Sequence, residues 1–401
     1  MRIAVIIPDY PPIIGGAEIF ASEIYKRLSK NNEVHIITRL PTRGTFSRNN
    51  LAYVELPQHE KINENLHIHR VRYIDVADIR LLSSFLPIYK KTLQVIKDHN
   101  IDIIHSIMIY PAAIAGAMAR NKLKKPHFFT EQGFLVDVIR NEKTITELYF
   151  GILKPFLRYA IRNADRIHSV SIGVDNKIKS LVPINKTIII PNGVDTKKFL
   201  PGIKADIRQR YNIPEKNKIV VTISRLVHKN GIEYLIQALK IVSQKHPDTT
   251  FLIVGGGPLR DSLSNFSKEL GLKNVIFTEH IPSEDTPKFL AASDIFTRPS
   301  LTEGFGISFV EAMSAGLAVI ATDAIKDYNI INHLKTGLIV RSKDANGLAE
   351  SLNLLLENES LRKKLGKAAR KDALARFDWD SIASQLEYEM QRLLEQTKQK
   401  S

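Results

Sequence analysis

The sequence contains no cysteine among its 401 residues. Disulfide bonds, thiolate metal ligands and cysteine nucleophiles are therefore excluded, and the composition fits a reducing compartment. Long apolar runs are also missing, because none approaches the roughly 18 consecutive apolar residues of a membrane-spanning helix. The apolar stretch from Ile3 to Ile7 is too short for a signal peptide and is typical of a first strand. We therefore expect a cytoplasmic protein without a spanning segment.

Acidic residues are fewer than basic ones, with 42 Asp and Glu against 57 Lys and Arg and a net charge of +15. Excess positive charge favours an anionic partner, such as a nucleic acid, an anionic membrane surface or a phosphorylated substrate. The sequence has no aromatic-interleaved RNA motif and no zinc-ligand spacing, so we expect no nucleic-acid partner. The chain is long enough for two domains, each with its own core.

Short apolar strands alternate with helical segments along the whole chain. This pattern predicts an α/β protein with doubly wound parallel sheets, in which ligands collect at the carboxyl ends of strands. One predicted strand, Ile101 to His105, ends in a histidine that we place near the ligand site. The alternative, a histidine buried for structural reasons, stays open. We place a domain boundary near residue 200, where Pro201 and Gly202 supply a turn.

The most informative stretch runs from Arg298 to Gly316. It predicts a strand, a glycine-rich turn and then a helix beginning at Ile307. Gly304 and Gly306 let the backbone approach a ligand, and the helix N-terminus suits a phosphate group. Glu303 and Glu311 flank this anion site as hydrogen-bond acceptors. A nucleotide sugar has the same layout, because its diphosphate lies between two groups that carry hydroxyls.

Three further loops have glycine or basic residues at predicted turns. Gly15 and Gly16 follow the first strand and open a helix. Arg225 and Lys229 follow a strand of the second half, where basic side chains complement a leaving diphosphate. The turn beginning at Gly255 allows close backbone approach.

These stretches closely resemble glycosyltransferase family 4, the retaining group 1 glycosyl transferases with the GT-B fold of two facing Rossmann-like domains. The resemblance rests on Glu-x7-Glu with Gly-Phe-Gly inside it, on Gly-Gly-x-Glu at Gly15, on Arg-Leu at Arg225 and on Pro-Asn-Gly-Val-Asp at 191–195. It implies an acceptor-binding domain at 1–200 and a donor-binding domain at 201–380. It also implies that a C-terminal helix at about 381–398 packs back on the first domain, and that the active site lies between the domains.

Two positions depart from the family pattern. Gln132 stands where family members commonly have a histidine facing the reacting sugar, and glutamine orients hydroxyls without exchanging a proton at neutral pH. Lys229 comes one residue before the family's lysine position, which here is Asn230. Our candidate catalytic residues are Glu303, Arg225, Lys229, Gln132 and His105. Our candidate donor-binding residues are Gly15, Gly16, Arg225, Lys229, Gly255, Ile281, Glu303, Gly304, Phe305, Gly306, Ile307 and Glu311.

The resemblance implies transfer of a sugar from a UDP-, GDP- or ADP-sugar to a sugar or lipid-linked acceptor, in glycan, glycolipid or cell-envelope polysaccharide synthesis. No carboxylate nucleophile stands at a family motif position, so we expect a front-face displacement. We expect no cofactor and no metal, because basic side chains and a helix N-terminus neutralise the leaving group. Two alternatives are a nucleotide-sugar 2-epimerase and a non-catalytic subunit that binds sugar nucleotides.

The segment 79–100 combines apolar residues with lysines, which is typical of a helix lying on an anionic membrane or of one packed on its own sheet. A second basic group lies at 120–125. Under the first interpretation, Leu82, Phe85 and Leu86 form a shallow anchor, and the protein is peripheral on the inner membrane face. Under the second, the charge serves solubility.

Overall fold

The computed structural model describes residues 1–13, 15–48, 51–76, 80–133, 144–279, 281–282 and 284–399. It divides into two compact units, of which the first comprises Met1–Asn192 with Trp379–Ser401 and the second Gly193–Asp378. The chain thus enters the second unit a few residues before the predicted boundary at 200. The C-terminal helix belongs to the first unit.

The first unit is built on an eight-stranded sheet in the order β3-β4-β2-β1-β5-β6-β7-β8. Its strands are β1 (Arg2–Ile6), β2 (Glu33–Arg39), β3 (His59–Asn63), β4 (Leu66–Val71), β5 (Ile103–Ile107), β6 (His127–Glu131), β7 (Arg166–Ser169) and β8 (Thr187–Ile189). Every pair is parallel except the β3–β4 pair at the edge. Strands buried on both faces read as continuous apolar runs, and β1 has four buried residues in its five.

Helices cover both faces of this sheet. They are α1 (Gly16–Leu28), α2 (Arg43–Arg48), α3 (Arg80–Asp98), α4 (Ile114–Leu123), α5 (Thr144–Asn163), α6 (Ile172–Leu181) and, from the end of the chain, α14 (Trp379–Lys398). The last helix packs on α1, where Trp379 meets the ring of Phe20. Asp380 accepts from Arg27 over 2.6 Å and Glu389 accepts from Arg166 over 2.7 Å. The apolar face of α14 is thus buried in the core of the first unit.

The second unit has a six-stranded parallel sheet in the order β11-β10-β9-β12-β13-β14. Its strands are β9 (Lys218–Ile223), β10 (Thr249–Val254), β11 (Val275–Phe277), β12 (Ile295–Arg298), β13 (Ala318–Thr322) and β14 (Leu338–Val340). Its helices are α7 (Ile207–Arg210), α8 (Ile232–Lys245), α9 (Arg260–Glu269), α10 (Thr286–Ala291), α11 (Ile307–Ser314), α12 (Ala345–Glu357) and α13 (Glu359–Arg376). The strand β14 and the helix α12 were not among the elements predicted from the sequence.

Strand order locates the ligand-binding edge of each sheet. In a doubly wound sheet the ligand lies beyond the carboxyl ends of the strands where the strand order reverses. That point falls between β1 and β5 in the first sheet and between β9 and β12 in the second. The loops after β9 and β12 contain Arg225 and Glu303, respectively. Within the described residues, no helix is long and apolar enough to cross a membrane.

Candidate active site

Arg298, the last residue of β12, organises the glycine-rich turn of the second unit. Its Nη2 atom lies 2.7 Å from Oε1 of Glu303, and its Nη1 atom donates to Ser308 over 2.9 Å. The hydroxyl of Ser300 donates to the same Glu303 oxygen over 2.6 Å. Both of these contacts fall on Oε1, so among the described residues Oε2 is the oxygen left to accept from a ligand. The backbone carbonyl of Glu303 accepts from Tyr328.

Asn230 is a buried link between the two central loops. Its amide donates to the carbonyl of Arg225, and its Oδ1 atom accepts from Nη2 of Arg298 over 2.9 Å. A side chain that makes both bonds is unavailable to a substrate. The exposed side chain at this turn is Lys229, one residue earlier. The structure therefore gives Asn230 a structural role at the position where the family has lysine.

The turn from Glu303 into α11 is held in a narrow conformation. Gly306 has φ +85°, and a Cβ atom there would lie 2.6 Å from the ring of Phe309. Glycine is therefore required at this position. Phe305 is buried and packs edge to face against Phe377, with 6.0 Å between the ring centroids. Among the predicted donor contacts, Phe305 thus offers its backbone, whereas Gly304 and Ile307 are half-buried at the start of α11.

Glu311 lies one turn into α11 and is half-buried. Burial raises the pKa of its carboxyl to about 7, while the charges of Lys198 and Arg298 oppose that shift. A raised pKa places the proton equilibrium of Glu311 in the neutral range. A ligand whose hydroxyls donate to the carboxylate would favour the ionised form.

Arg225 and Lys229 are both exposed on the loop after β9. The neighbouring loop after β10 packs against the backbone of Ser224 and Leu226 in this loop. Gly255 has φ +132°, and a Cβ atom there would lie 2.1 Å from the carbonyl oxygen of Ser224. This close approach explains why glycine occurs at that position. Ile281 is half-buried beyond β11.

Gly15 and Gly16 of the first unit lie at the N-terminus of α1, near the point where the order of the first sheet reverses. A Cβ atom at Gly15 would lie 2.5 Å from a carboxylate oxygen of Glu18, whereas Gly16 faces open space. Burial raises the pKa of Glu18 to about 7, and the charge of Asp9 adds to the shift. The backbone of this loop therefore lies beside the carboxyl group of Glu18, whose pKa is near neutrality.

His105 lies in the middle of β5 and belongs to a buried hydrogen-bonded chain. The carbonyl of Ile190 can only accept, so His168 Nε2 donates to it over 2.7 Å. His168 Nδ1 must then accept from the Thr130 hydroxyl at 3.0 Å, and Thr130 Oγ1 accepts from His105 Nε2 at 2.6 Å. His105 Nδ1 is left to accept from the hydroxyl of Tyr25.

The prediction that His105 lies at the ligand site is therefore wrong. Both ring nitrogens are used inside the core, and burial holds the pKa of His105 well below its usual value. The sequence placed the strand two residues too early, from Ile101 instead of Ile103.

Gln132 follows the carboxyl end of β6, as predicted. Its Oε1 atom accepts from the amide of Asn192 over 2.9 Å. Within the residues described, Gln132 Nε2 and Asn192 Oδ1 are buried without hydrogen-bond partners. One donor and one acceptor of this amide pair thus lack a partner among the described residues, and a sugar hydroxyl can both accept and donate. Asn192 lies in the Pro-Asn-Gly-Val-Asp element, but it was not among the candidate site residues predicted from the sequence.

Sequence reasoning also missed the roles of Arg298, Ser300 and Tyr328. Arg298 and Ser300 stand inside the stretch singled out above, and their nearness to Glu303 was the available signal. Tyr328 is 25 residues from its partner, so no local pattern indicates that contact.

Comparison with known proteins identifies the family of the chain. The model for glycosyl transferases group 1 matches residues 203–372, and the model for Glycosyltransferase Family 4 matches residues 14–198. N-acetyl-alpha-D-glucosaminyl L-malate synthase of Bacillus anthracis is 26% identical over 394 residues, with 96% of each chain covered. A GDP-mannose-dependent phosphatidylinositol monomannoside mannosyltransferase of Mycolicibacterium smegmatis is 29% identical over 308 residues, covering 73% of this chain and 77% of the relative.

Two solved structures share the fold. Sucrose-phosphate synthase from Thermosynechococcus elongatus has a TM-score of 0.82 at 22% identity, with 98% of both chains covered. Anabaena HepE in complex with UDP-glucose has a TM-score of 0.74 at 20% identity, covering 98% of this chain and 100% of HepE. Fold and loops together define the class of protein, a glycosyltransferase of the GT-B type. Within that class, the chain belongs to glycosyltransferase family 4, the group 1 glycosyl transferases.

Proposed function

We propose that this enzyme transfers a sugar from a nucleotide diphosphate sugar to an acceptor hydroxyl with retention of anomeric configuration. The observation that carries the proposal is the placement of Glu303 and Glu311 at the two sides of the glycine turn after β12. Arg225 and Lys229 stand exposed on the loop after the neighbouring strand β9. Acceptors for hydroxyls and cations for a diphosphate are thus grouped on adjacent loops.

Glu311 is proposed to bind the ribose of the donor. Ribose hydroxyls donate to the ionised carboxylate, so nucleotide binding requires the loss of the Glu311 proton. The pKa of the Glu311 carboxyl is about 7 in the protein without a ligand. Affinity for a UDP-sugar should therefore fall about tenfold per pH unit below that value. Calorimetric titration from pH 5 to 8 measures this slope. In Glu311→Gln the affinity should be weaker and independent of pH, and an unchanged slope would remove the ribose role.

Glu303 is proposed to orient the transferred sugar through Oε2. Its Oε1 atom already accepts from Arg298 and Ser300, which hold the carboxylate in place. We therefore expect Glu303 to position a sugar hydroxyl and not to form a glycosyl-enzyme bond. Glu303→Gln should lower turnover while leaving nucleotide affinity within about threefold. Loss of nucleotide affinity instead would assign Glu303 to the nucleotide.

The proposed chemistry is a front-face displacement. The bond between the anomeric carbon and the diphosphate breaks, the acceptor oxygen attacks from the same face, and the acceptor proton passes to a diphosphate oxygen. Arg225 and Lys229 stabilise the charge that grows on the leaving diphosphate. No metal is required for this step, so EDTA in the assay should leave the initial rate unchanged. Gln132 and Asn192 are proposed to hold sugar hydroxyls, which needs no proton transfer from either.

A panel of UDP-, GDP- and ADP-sugars without acceptor tests the reaction class. A transferase should hydrolyse one donor slowly and retain its anomeric configuration in the first product. A 2-epimerase would instead release the epimeric sugar, and a non-catalytic subunit would bind a donor and release nothing. The named relatives include a GDP-mannose-dependent enzyme, and HepE holds UDP-glucose, so both bases belong in the panel.

We further propose that the acceptor is lipid-linked and that α3 rests on an anionic membrane at its cytoplasmic face. Leu82 and Leu86 are 50% and 52% exposed, and Lys90 extends the same stripe, whereas Ile88, one helix face away, is buried on the sheet. Each surface lysine contributes about 1 kcal/mol near such a membrane. Arg120 from the second basic group is instead paired with Asp165 at 2.5 Å. Helix α3 is therefore the proposed contact.

Sedimentation with vesicles containing anionic lipid tests the membrane proposal. Binding should appear at low salt, weaken at high salt and fall in the double variant Leu82→Ser with Leu86→Ser. A matched control replaces Leu354 and Leu374, which are 42% and 44% exposed in the second unit. Equal loss in both double variants, or no binding at low salt, would refute the contact through α3.

A further inference from the structure

Five of the twelve histidines come together at the edge of the first sheet. They are His35 on β2, His59 on β3, His67 and His69 on β4, and His99, which follows α3. Strand register explains the grouping. His35 pairs with His67 across the parallel β2–β4 pair, and His59 pairs with His69 across the antiparallel β3–β4 pair. Side chains two residues apart share a face, so all four strand histidines point to the same side.

Helix α3 covers this face. Its buried residues Ile88 and Val95 pack with Ile37 and Val71, which lie two residues beyond His35 and His69 on their strands. Because the helix runs over the same face, its C-terminal end brings His99 to the histidines of the sheet. The rings of His35 and His99 are 4.0 Å apart between centroids.

Three ring nitrogens converge in this cluster. One nitrogen each from His35, His69 and His99 lies within 4.8 Å of the other two. The closest pair, His35 Nδ1 and His69 Nε2, is 3.1 Å apart. Nitrogens bound to one tetrahedral zinc at about 2.05 Å lie about 3.4 Å from each other. The observed arrangement therefore needs movements of a few tenths of an ångström to about 1.5 Å to reach ligating geometry.

Glu33 supplies an independent indication of a metal site. Its Oε1 atom lies 2.9 Å from Nε2 of His35. The carboxylate fixes the proton of His35 on Nε2 and leaves the lone pair of Nδ1 directed at the cluster. Metal-bound histidines have this arrangement, in which the second ring nitrogen donates to a carboxylate. His59 faces the remaining nitrogen of His69, with 3.4 Å between the two Nδ1 atoms, and can orient that ring likewise.

We propose that His35, His69 and His99 bind a zinc ion, with Glu33 and His59 orienting two of the ligands. Imidazole ligands suit zinc, copper and nickel, and the absence of a carboxylate among the three disfavours magnesium and calcium. A water molecule would complete four-coordination. His35 and His69 are buried while His99 is half-buried, so the ion enters from the side of His99.

The charge around the cluster is mixed. Lys91 of α3 acts electrostatically on His69 and opposes a bound cation. Glu33 is the negative group that offsets this charge, since it contacts His35 directly. The site joins β2, β4 and the end of α3, so its role is to hold the sheet edge to the helix. It involves none of the residues assigned above to donor binding or catalysis.

Zinc titration of the metal-stripped full-length protein, in competition with a chromophoric chelator, tests the site. The parent should bind one equivalent, and His99→Ala should weaken binding by roughly 100-fold or more. Glu33→Ala should weaken it by roughly 10- to 100-fold. His333→Asn is the matched control, because His333 is exposed in the second unit and asparagine keeps an acceptor for the backbone of Ile339.

Cobalt and stability give two further readouts. Cobalt in place of zinc should produce the visible absorption of a nitrogen-ligated tetrahedral ion in the parent and in His333→Asn, and lose it in His99→Ala. Zinc should also raise the unfolding midpoint of the first unit in the parent but not in His99→Ala, as measured by the fluorescence of Trp379. His99 and Glu33 are both partly exposed, and circular dichroism verifies that their variants fold. Equal zinc affinity in the parent and His99→Ala, or no zinc bound by the parent, would overturn the proposal.

Discussion

The buried chain through His105 allows a sharp test, because its central hydroxyl can be removed without changing the shape of the side chain. Thr130 Oγ1 accepts from His105 Nε2 at 2.6 Å and donates to His168 Nδ1 at 3.0 Å, and all three residues are fully buried. Thr130→Val replaces the hydroxyl by a methyl group. One ring N–H and one ring lone pair then lose their partner inside the core.

The expected loss in free energy of unfolding follows from the two hydrogen bonds that Thr130→Val removes. A buried polar group left without a partner costs about 1 to 3 kcal/mol, so Thr130→Val should destabilise the first unit by about 2 to 6 kcal/mol. Thr130→Ser is the matched control, because serine keeps the hydroxyl and loses one methyl group, which costs about 1 kcal/mol. The order of stability should therefore be Thr, then Ser, then Val. A purely apolar site would give the opposite order for the two variants.

Trp379 makes the measurement specific to the first unit. It is the only tryptophan in the sequence and is buried in the core of that unit beside Phe20. Urea unfolding followed by its fluorescence reports the unfolding of this unit. If Thr130→Val lies within about 0.5 kcal/mol of the parent, or is more stable than Thr130→Ser, the hydrogen-bonded chain does not contribute as argued.

Three further predictions concern acid stability, the second unit and catalysis. Burial lowers the pKa of His127 to about 3 and of His168 to about 4, so the unfolded chain binds protons that the folded first unit excludes. The contribution of these two histidines to the free energy of unfolding should be fully present above pH 7 and decrease as the pH drops from about 6.5 towards 4. A urea midpoint that stays constant over this range would contradict the prediction. Gly255→Ala should destabilise the second unit by about 1 to 3 kcal/mol or more, since φ is +132° and the new Cβ meets Ser224; circular dichroism melts without a shift would argue otherwise. Arg225→Ala should lower turnover about 100-fold with little change in the melting temperature, whereas near-parental turnover would remove Arg225 from the leaving-group site.

Local sequence patterns predicted much of the secondary structure. Continuous apolar runs bounded by turn residues predicted most strands of both sheets within a few residues, because strands buried on both faces need such runs. The spacing of Glu303, Gly304, Gly306 and Glu311 likewise follows from one turn and one helix. Short or exposed elements such as β3 and β14 were not predicted, because elements of so few residues show no clear hydrophobic periodicity.

Side-chain environments depended on contacts between distant parts of the chain. Whether His105 lies at a strand end or in the core is decided by Tyr25 and Thr130, which are 80 and 25 residues away. The Asn230 position shows the same dependence, because its partner Arg298 is 68 residues distant. Hydrogen-bond satisfaction inside a protein is a property of the packed structure, and local composition does not encode it.

The histidine cluster shows most clearly the difference between what the sequence predicts and what the tertiary structure decides. The sequence contains no zinc-ligand spacing, since His35, His69 and His99 are separated by 34 and 30 residues. By itself the sequence predicts strands around His35 and His69 and a helical segment at 79–100 that includes His99. Only the tertiary structure decided that these elements pack on one another. Strand register and helix placement are set by burial of apolar faces across the whole unit, and that burial brings the three imidazoles together.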